Sequence, residues 1–283
     1  MLEPLEPLSI TGVDTFTTSD TFAADPTTFE WDIKAFGTVD STNRIVKQYL
    51  SAGAGEGLCA TALQQSGGYG RQGRTWASPV GGLYTSLALR PFVRGVSIEN
   101  TPSLSLVISI ALHRALSAFT CGKTLSIKWP NDVLCNGGKV AGISLEAISG
   151  GVCVGIGINV FQNNGLSKIP GKYSLSFISE ELVDNNLTQE QRSFMTQILQ
   201  AVLQEIRQSY LMWCKRGFAA FVGQYQAHMA FVGSYVSLEA LDGSVFVEGR
   251  IEGVDAQGNL LIKTGQGSIV AASSGEVHVR RLN

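Results

Sequence analysis

Two glycine turns constrain this fold more than any other feature of the sequence. Asn136-Gly137-Gly138 and Ser149-Gly150-Gly151 separate three apolar runs, Val133–Leu134, Val140–Ala147 and Val152–Asn159. A turn of the Asn-Gly type takes positive φ at its centre and joins neighbouring antiparallel strands. The three runs therefore predict a meander in one sheet, with Leu125–Lys128 as a fourth strand just upstream.

The remaining pattern builds around that meander. Trp31–Val39 alternates weakly and reads as a strand, with Ile33, Ala35 and Phe36 facing in. Asp40-Ser41-Thr42-Asn43 follows, and Ile45, Val46, Tyr49 and Leu50 then recur at helical spacing, with Asp40 or Ser41 as the cap. Leu58–Leu63 and Leu83–Leu89 read as strands. Thr101-Pro102 opens a helix whose apolar face runs from Leu104 to Phe119. Thr188 and Gln191 form a capping box before a long amphipathic helix that carries Phe194, Ile198, Val202, Ile206 and Tyr210 to about Trp213. After about Phe231 five short strands and three glycine turns follow in quick succession, the signature of a small barrel. The division is a loose N-terminal extension (1–29), an α+β domain with a mixed sheet (30–231) and a barrel (232–283).

Composition removes several classes of function. Net charge is −2 and the pI is near 6.0, so there is no basic field for nucleic acid. The 5 cysteines have no C-x-x-C spacing, and the 3 histidines are far apart in sequence with no H-x-H or H-x-x-x-H pattern, so a zinc site is not expected. The cysteines read as reduced thiols, several within apolar runs. The N-terminus lacks a basic segment followed by an apolar one, and the longest apolar stretch is too short to span a membrane. A soluble, cytoplasmic protein without membrane or nucleic-acid partners is expected.

Gly67-Gly68-Tyr69-Gly70-Arg71-Gln72-Gly73-Arg74 is the most unusual stretch. Glycine lets backbone approach a ligand, and arginine offers a fixed fork to carboxylate or phosphate. Gly68-x-Gly70-x-x-Gly73 also spells the dinucleotide fingerprint, but its context is wrong. Trp76-Ala77-Ser78-Pro79 follows in place of a helix, and no acidic residue stands about 20 positions on. Kinase and P-loop patterns are absent as well. Three further stretches carry chemistry: the hydroxyls and amide of Ser41-Thr42-Asn43, the run Lys128-Trp129-Pro130-Asn131-Asp132, and Lys139 at the start of an apolar strand, where burial demands an anionic partner.

In order and spacing, these stretches resemble the biotin protein ligases. That family's pattern is G-R-G-R-x-G-R followed by Trp, then K-W-P-N-D, G-K-x-x-G-I and G-I-G-I-N. Here it reads Gly68–Arg74 with Trp76, Lys128–Asp132, Lys139–Ile143 and Gly155–Asn159. The resemblance runs from about Trp31 to the C-terminus, and Gly253–Leu260 with Gly275-Glu276-Val277 resembles the family's SH3-like domain. It implies a class II synthetase-like, biotin-lipoate ligase fold, with Tyr69 standing where the family often has Arg. Bifunctional members begin with a winged helix. The first 29 residues are too few for one, so a repressor role is not expected.

The resemblance implies a two-step reaction. The biotin carboxylate attacks the α-phosphate of ATP, giving biotinyl-5′-AMP and pyrophosphate. A lysine of a biotin carboxyl carrier protein, belonging to acetyl-CoA carboxylase or a related carboxylase, then attacks the acyl carbon and releases AMP. Implied biotin contacts are Ser41, Thr42, Asn43, Gln65, Tyr69, Gly70, Arg71, Lys139, Gly142 and Gly155. Implied nucleotide contacts are Arg71, Arg74, Trp76, Lys128, Asn131 and Asn159, and the implied catalytic residues are Lys139, Arg71 and Asp132. Asp132 is either a Mg²⁺ ligand or the base for the incoming amine. The alternatives are a lipoate–protein ligase, whose family carries R-R-x-x-G-G-G and lacks K-W-P-N-D, and a non-catalytic biotin-binding module.

Overall fold

The structure is a computed structural model that describes residues 29–163, 174–240 and 242–279. Apart from residue 29, the expected N-terminal extension lies outside them. Seven strands, β1 (Asp32–Val39), β2 (Leu58–Gln65), β3 (Gly82–Leu89), β4 (Leu125–Lys128), β5 (Asp132–Cys135), β6 (Gly138–Ile148) and β7 (Gly151–Asn159), form one sheet in the order β1-β2-β3-β7-β6-β5-β4. β1 and β2 are parallel, which requires a crossover; helix α1 (Thr42–Ser51) supplies it. All other neighbours in this sheet are antiparallel. Asn136 (φ 48°) with Gly137 (φ 81°), and Ser149 (φ 48°) with Gly150 (φ 72°), make the two turns of the meander. Positive φ at both central residues is the type I′ geometry that matches strand twist.

One face of the sheet is covered by α2 (Leu104–Ser117) and α3 (Gln189–Arg216). α2 is apolar nearly all round and is buried between the sheet and α3. α3 starts at the Thr188–Gln191 capping box and buries Ile198, Val202, Ile206 and Tyr210. The opposite face is covered only in part. α1 sets Val46 and Leu50 against Leu58, Ala60, Ala88 and Cys153, a contact worth at most about 1.5–3 kcal/mol for each of the two side chains. Beyond α1 the strip of β6 and β7 on this face is largely glycine: Gly142 pairs with Gly157, and Gly155 with Ser144. That bare strip positions the site.

A second sheet holds β10 (Tyr235–Glu239), β11 (Val245–Val254), β12 (Leu260–Lys263), β13 (Ile269–Ala272) and β14 (Glu276–Val279), all antiparallel, in the order β13-β12-β11-β10-β14. This is the small SH3-like unit expected beside an α+β catalytic sheet. It is joined to the main sheet by Trp129 Nε1, which donates to Gly258 O (3.0 Å). Two short parallel strands, β8 (Gln162–Asn163) and β9 (Leu182–Val183), and helix α4 (Val222–His228) complete the described elements.

Several local expectations need correction. Ile33 is 40% exposed, because β1 is an edge strand with α1 over only part of it. Ser41 stands at the α1 N-cap but makes no side-chain cap bond, while Asp40 pairs with Arg44. Thr101 and Pro102 lie inside a 3-10 turn (Ile98–Ser103), and α2 begins only after Ser103. Cys59, Cys135 and Cys153 are buried free thiols, but Cys121 is exposed.

Candidate active site

The Gly-Arg stretch folds as a narrow hairpin over the glycine floor. Trp76 N donates to Gly68 O (3.0 Å), Gly70 N to Arg74 O (2.8 Å), and Tyr69 bridges Thr75. Its tip is a 3-10 turn at Arg71–Gly73, with Gln72 (φ 59°) and Gly73 (φ 70°) in the left-handed region. No helix follows, so the dinucleotide reading fails on geometry as well as on sequence.

Beneath the hairpin, a small cavity of about 60 Å³ is lined by Thr42, Asn43, Gln65, Tyr69, Gly70, Arg71, Trp76, Asn131, Lys139, Gly142, Ser144, Gly155 and Gly157, with Ile143 and Ile156. It is small because Trp76 lies on the floor. A Cβ placed on Gly157 would fall 2.5 Å from the indole, and one on Gly142 2.9 Å from it. Small-molecule sites usually occupy about 300–1,000 Å³, so a ligand must displace Trp76 to enter. The inner wall is polar. Gln65 Oε1 accepts from Thr42 N (2.9 Å) and Oγ1 (3.1 Å), and Gln65 Nε2 donates to Ser78 Oγ (2.8 Å). Ser86 Oγ lies 2.6 Å from Asn43 Oδ1, and Asn43 Nδ2 donates to Ser144 Oγ (3.3 Å).

A larger cavity of about 590 Å³ opens beside it, between the hairpin, the Lys128–Asp132 run and the second sheet. Arg71, Arg74, Lys128 and Lys139 face Asp132, Glu239 and Glu276 there. One formal positive charge is left over, in a space sized for a nucleotide. Lys139 Nζ is 2.7 Å from Asp132 Oδ1 and 5.0 Å from the Trp76 ring centre. Arg71 Nη1 donates to Asn131 Oδ1 (2.7 Å), whose Nδ2 donates to Ile143 O (2.8 Å). Asn159 Nδ2 donates to Lys139 O (3.1 Å), and Arg74 pairs with Glu276 (2.5 Å).

The electrostatics follow from burial. Lys128 is 4% exposed, and loss of solvent pulls its pKa from 10.5 down to about 8, against the partial support of Asp132 and Glu276. Burial likewise lowers the Arg71 pKa, partly offset by Asp132. At Glu276 burial pushes the carboxyl up, but the bond from Arg74 and the charges of Arg74, His278 and Lys128 outweigh it and hold it low.

Of the residues singled out in the sequence, all but Ser41 line one or both cavities. Ser41 is buried at the head of α1, outside both. The sequence reading missed Ser78, Ser86 and Ser144, isolated serines whose only signal is alternation on a strand or loop, and it missed Gly157, which the Gly155-x-Gly157 spacing marks as a same-face pair. For a metal, no group of three His, Cys, Asp or Glu side chains exists among the described residues. Asp132 is the carboxylate closest to Lys139, a single hard oxygen donor of the kind Mg²⁺ uses when phosphates supply the rest. No helix among the described residues is long and apolar enough to cross a membrane.

Comparison with known proteins shows which family the chain resembles. Residues 35–163 match the Biotin/lipoate A/B protein ligase family, and residues 231–280 match the Biotin protein ligase C terminal domain. The Bifunctional ligase/repressor BirA of Bacillus spizizenii is 30% identical over 240 residues, covering 81% of this chain and 68% of that protein. The Biotin--[acetyl-CoA-carboxylase] ligase of Mycobacterium tuberculosis is 29% identical, covering 85% of this chain and 86% of that one. The structure of the biotin protein ligase from Aquifex aeolicus in complex with biotin and ATP superposes with a TM-score of 0.69 at 30% identity, covering 88% of this chain and 99% of that one.

Proposed function

The chain belongs to the biotin/lipoate A/B protein ligase family, among its biotin protein ligases, and from that premise we propose how its residues carry out the reaction. The protein activates biotin with ATP as biotinyl-5′-AMP, releases pyrophosphate, and transfers the biotinyl group to a lysine of a biotin carboxyl carrier protein of acetyl-CoA carboxylase or a related carboxylase, in the cytoplasm. The observation that carries this reading is the convergence of four separated segments, Gly68–Arg74, Lys128–Asp132, Lys139–Ile143 and Gly155–Asn159, around one glycine-floored groove.

The small cavity takes biotin. Thr42, Asn43 and Gln65, already tied to Ser86, Ser144 and Ser78, hold fixed donors and acceptors at its inner wall for the ureido ring. A wall of buried polar groups rejects analogues that leave those groups unpaired. The larger cavity takes ATP. Biotin displaces Trp76 from the floor, and the indole then covers the adenine. Lys139 turns from Asp132 to the biotin carboxylate and the α-phosphate. Arg71 leaves Asn131 for the α-phosphate, and Arg74 leaves Glu276 for the pyrophosphate. Lys128, Asn131 and Asn159 frame the nucleotide. These cations stand where charge accumulates in both steps, and fixed charges in a dry site stabilise such transition states strongly. Mg²⁺ bound with ATP would offset phosphate charge, held by the phosphates and the Asp132 carboxylate. Once pyrophosphate has left and Lys139 has moved away, the same carboxylate is free to take the proton of the incoming lysine amine.

The test is incubation of the purified protein with labelled biotin, ATP·Mg²⁺ and a biotin carrier domain, with a parallel lipoate arm. The expected result is ATP-dependent labelling of one carrier lysine by biotin alone. Labelling by lipoate in preference, or biotin binding with no transfer, would overturn the assignment.

A further inference from the structure

Tyr69 occupies the loop position at which this chain departs from the arginine of the related pattern, and its side chain is fully engaged. Tyr69 Oη donates to Glu146 Oε1 (2.8 Å), and Lys47 Nζ pairs with Glu146 Oε2 (2.7 Å). The Tyr69 ring also faces Lys47 Nζ at 5.4 Å and the Arg44 guanidinium at 5.9 Å. Three elements meet here: the hairpin through Tyr69, helix α1 through Arg44 and Lys47, and strand β6 through Glu146. Burial raises the Tyr69 pKa, so the phenol stays protonated and donates to Glu146.

The hairpin is thus held in two different ways. Its stem, where Tyr69 bridges Thr75 and Gly68 bonds to Trp76, is fastened to the sheet by the Tyr69–Glu146–Lys47 cluster. Its tip is held through Arg71 on Asn131 and Arg74 on Glu276, contacts that ATP must replace on the proposed reading. Lys47 and Glu146 line neither cavity. Any effect they have on a ligand therefore acts through the hairpin.

We propose that Tyr69, Glu146 and Lys47 form a clasp that holds the stem of the loop down on the sheet before either substrate arrives, so that Tyr69 is a positioning residue for biotin while only the tip and the Trp76 indole rearrange. Closing the stem in advance removes part of the ordering cost of binding, because apparent affinity falls with the fraction of molecules in the competent state. The inference rests on biotin being the ligand of the small cavity.

The test compares wild type, Tyr69→Phe, Glu146→Ala and the double variant by calorimetric titration with biotin alone, by tryptic cleavage at Arg71 and Arg74 without ligand, and by thermal melting. Tyr69→Phe is expected to weaken biotin binding about tenfold, the scale of one hydrogen bond to a charged acceptor, and to speed cleavage in the loop. Glu146→Ala should do the same although it touches no ligand, and the double variant should be no worse than either single. Melting temperatures should stay together, since the cluster lies at the surface, with Lys47 and Glu146 27% and 33% exposed, and clasps a loop rather than the core. In Glu146→Ala, transfer of biotin from preformed adenylate to the carrier should proceed at the wild-type rate. Wild-type biotin affinity in Tyr69→Phe, or a silent Glu146→Ala beside an impaired Tyr69→Phe, would overturn the clasp, the latter by making Tyr69 a direct ligand contact. Absence of biotin binding by the wild type would instead overturn the ligase reading itself.

Discussion

Gly155→Ala puts the proposed floor of the biotin site to a quantitative test. A Cβ at this position would lie 2.3 Å from Asn43 Oδ1, 2.7 Å from Asn43 Nδ2 and 2.5 Å from Ser144 Oγ. Neither neighbour yields easily. Asn43 is 4% exposed, its Oδ1 is engaged by Ser86 at 2.6 Å and its Nδ2 by Ser144. Overpacking of a filled interior costs about 1–3 kcal/mol, and losing one buried hydrogen bond adds about 1 kcal/mol. The total, about 2–4 kcal/mol, corresponds to a fall in melting temperature of roughly 4–16 °C for a chain of this size. Biotin binding should fall more than tenfold on the proposed reading, because the methyl stands on the floor itself. Calorimetric melting and biotin titration read both effects. Asn43→Ala in the Gly155→Ala background should recover part of the stability, with a coupling of about 0.5–3 kcal/mol. An unchanged melting temperature together with wild-type biotin affinity would refute the close approach of ligand and backbone at Gly155.

Three further outcomes are expected. Lys139→Met should slow single-turnover adenylate formation by about 10²–10³-fold, as loss of a fixed charge at developing negative charge does, while leaving the protein folded. The pKa of Lys128 near 8 should appear as a decline in kcat/KM for ATP as pH rises through about 8, and Lys128→Arg should remove that inflection. The sign for stability is opposite: between about 8 and 10.5 the unfolded chain binds a proton that the folded chain does not, so unfolding free energy should rise with pH over that window. His113, stacked on His228 at 4.0 Å, has its pKa lowered by burial, by His228 and by Arg114 against a bond to the Leu125 backbone. The unfolded chain then takes up a proton first as pH falls through about 6.5, so urea midpoints should drop there, and less so in His113→Gln.

The sequence revealed most where local chemistry decides the backbone. Asn136-Gly137 and Ser149-Gly150 are strong turn formers, so the meander was readable. The Thr188–Gln191 box was readable for the same reason, as a side chain satisfying a helix end in its own turn. What was hidden depends on partners distant in the chain. Ser144 matters because Asn43, 101 residues away, donates to it; nothing beside it in sequence says so. Ile33 alternates like a core residue but stays 40% exposed, since strand order leaves β1 at the edge. α4 spans seven residues with Gly223 inside and Tyr225 as its buried anchor, too short for periodicity to register. Cooperation of Arg71 with Asn131 and of Arg74 with Glu276 joins segments whose proximity only the packed sheets create.

Those long-range contacts also bear on why a two-step reaction can run in one place. Gly70, Arg71, Trp76, Asn131 and Lys139 line both cavities, and they are the only residues that do among those described. On the proposed reading the biotin carboxylate comes from one side of this group and the α-phosphate from the other, so the bond formed in the first step is centred on it. The same group then surrounds the acyl carbon that the carrier lysine attacks. The intermediate need not move between steps, and holding reacting atoms in place is worth several orders of magnitude in rate. Trp76 fills the junction when the groove is closed, lying against Gly142 and Gly157 with Lys139 beside its ring. The indole so placed covers part of the charged pair Lys139–Asp132, whose side chains remain 23% and 14% exposed. On the proposed reading the displaced indole covers the adenine, so Trp76→Ala should uncover the adenylate and let water reach it. The expected signature is uncoupling: adenylate forms but hydrolyses, and AMP release exceeds carrier labelling. Equal AMP release and labelling in Trp76→Ala and wild type would show that the indole is not what keeps water out.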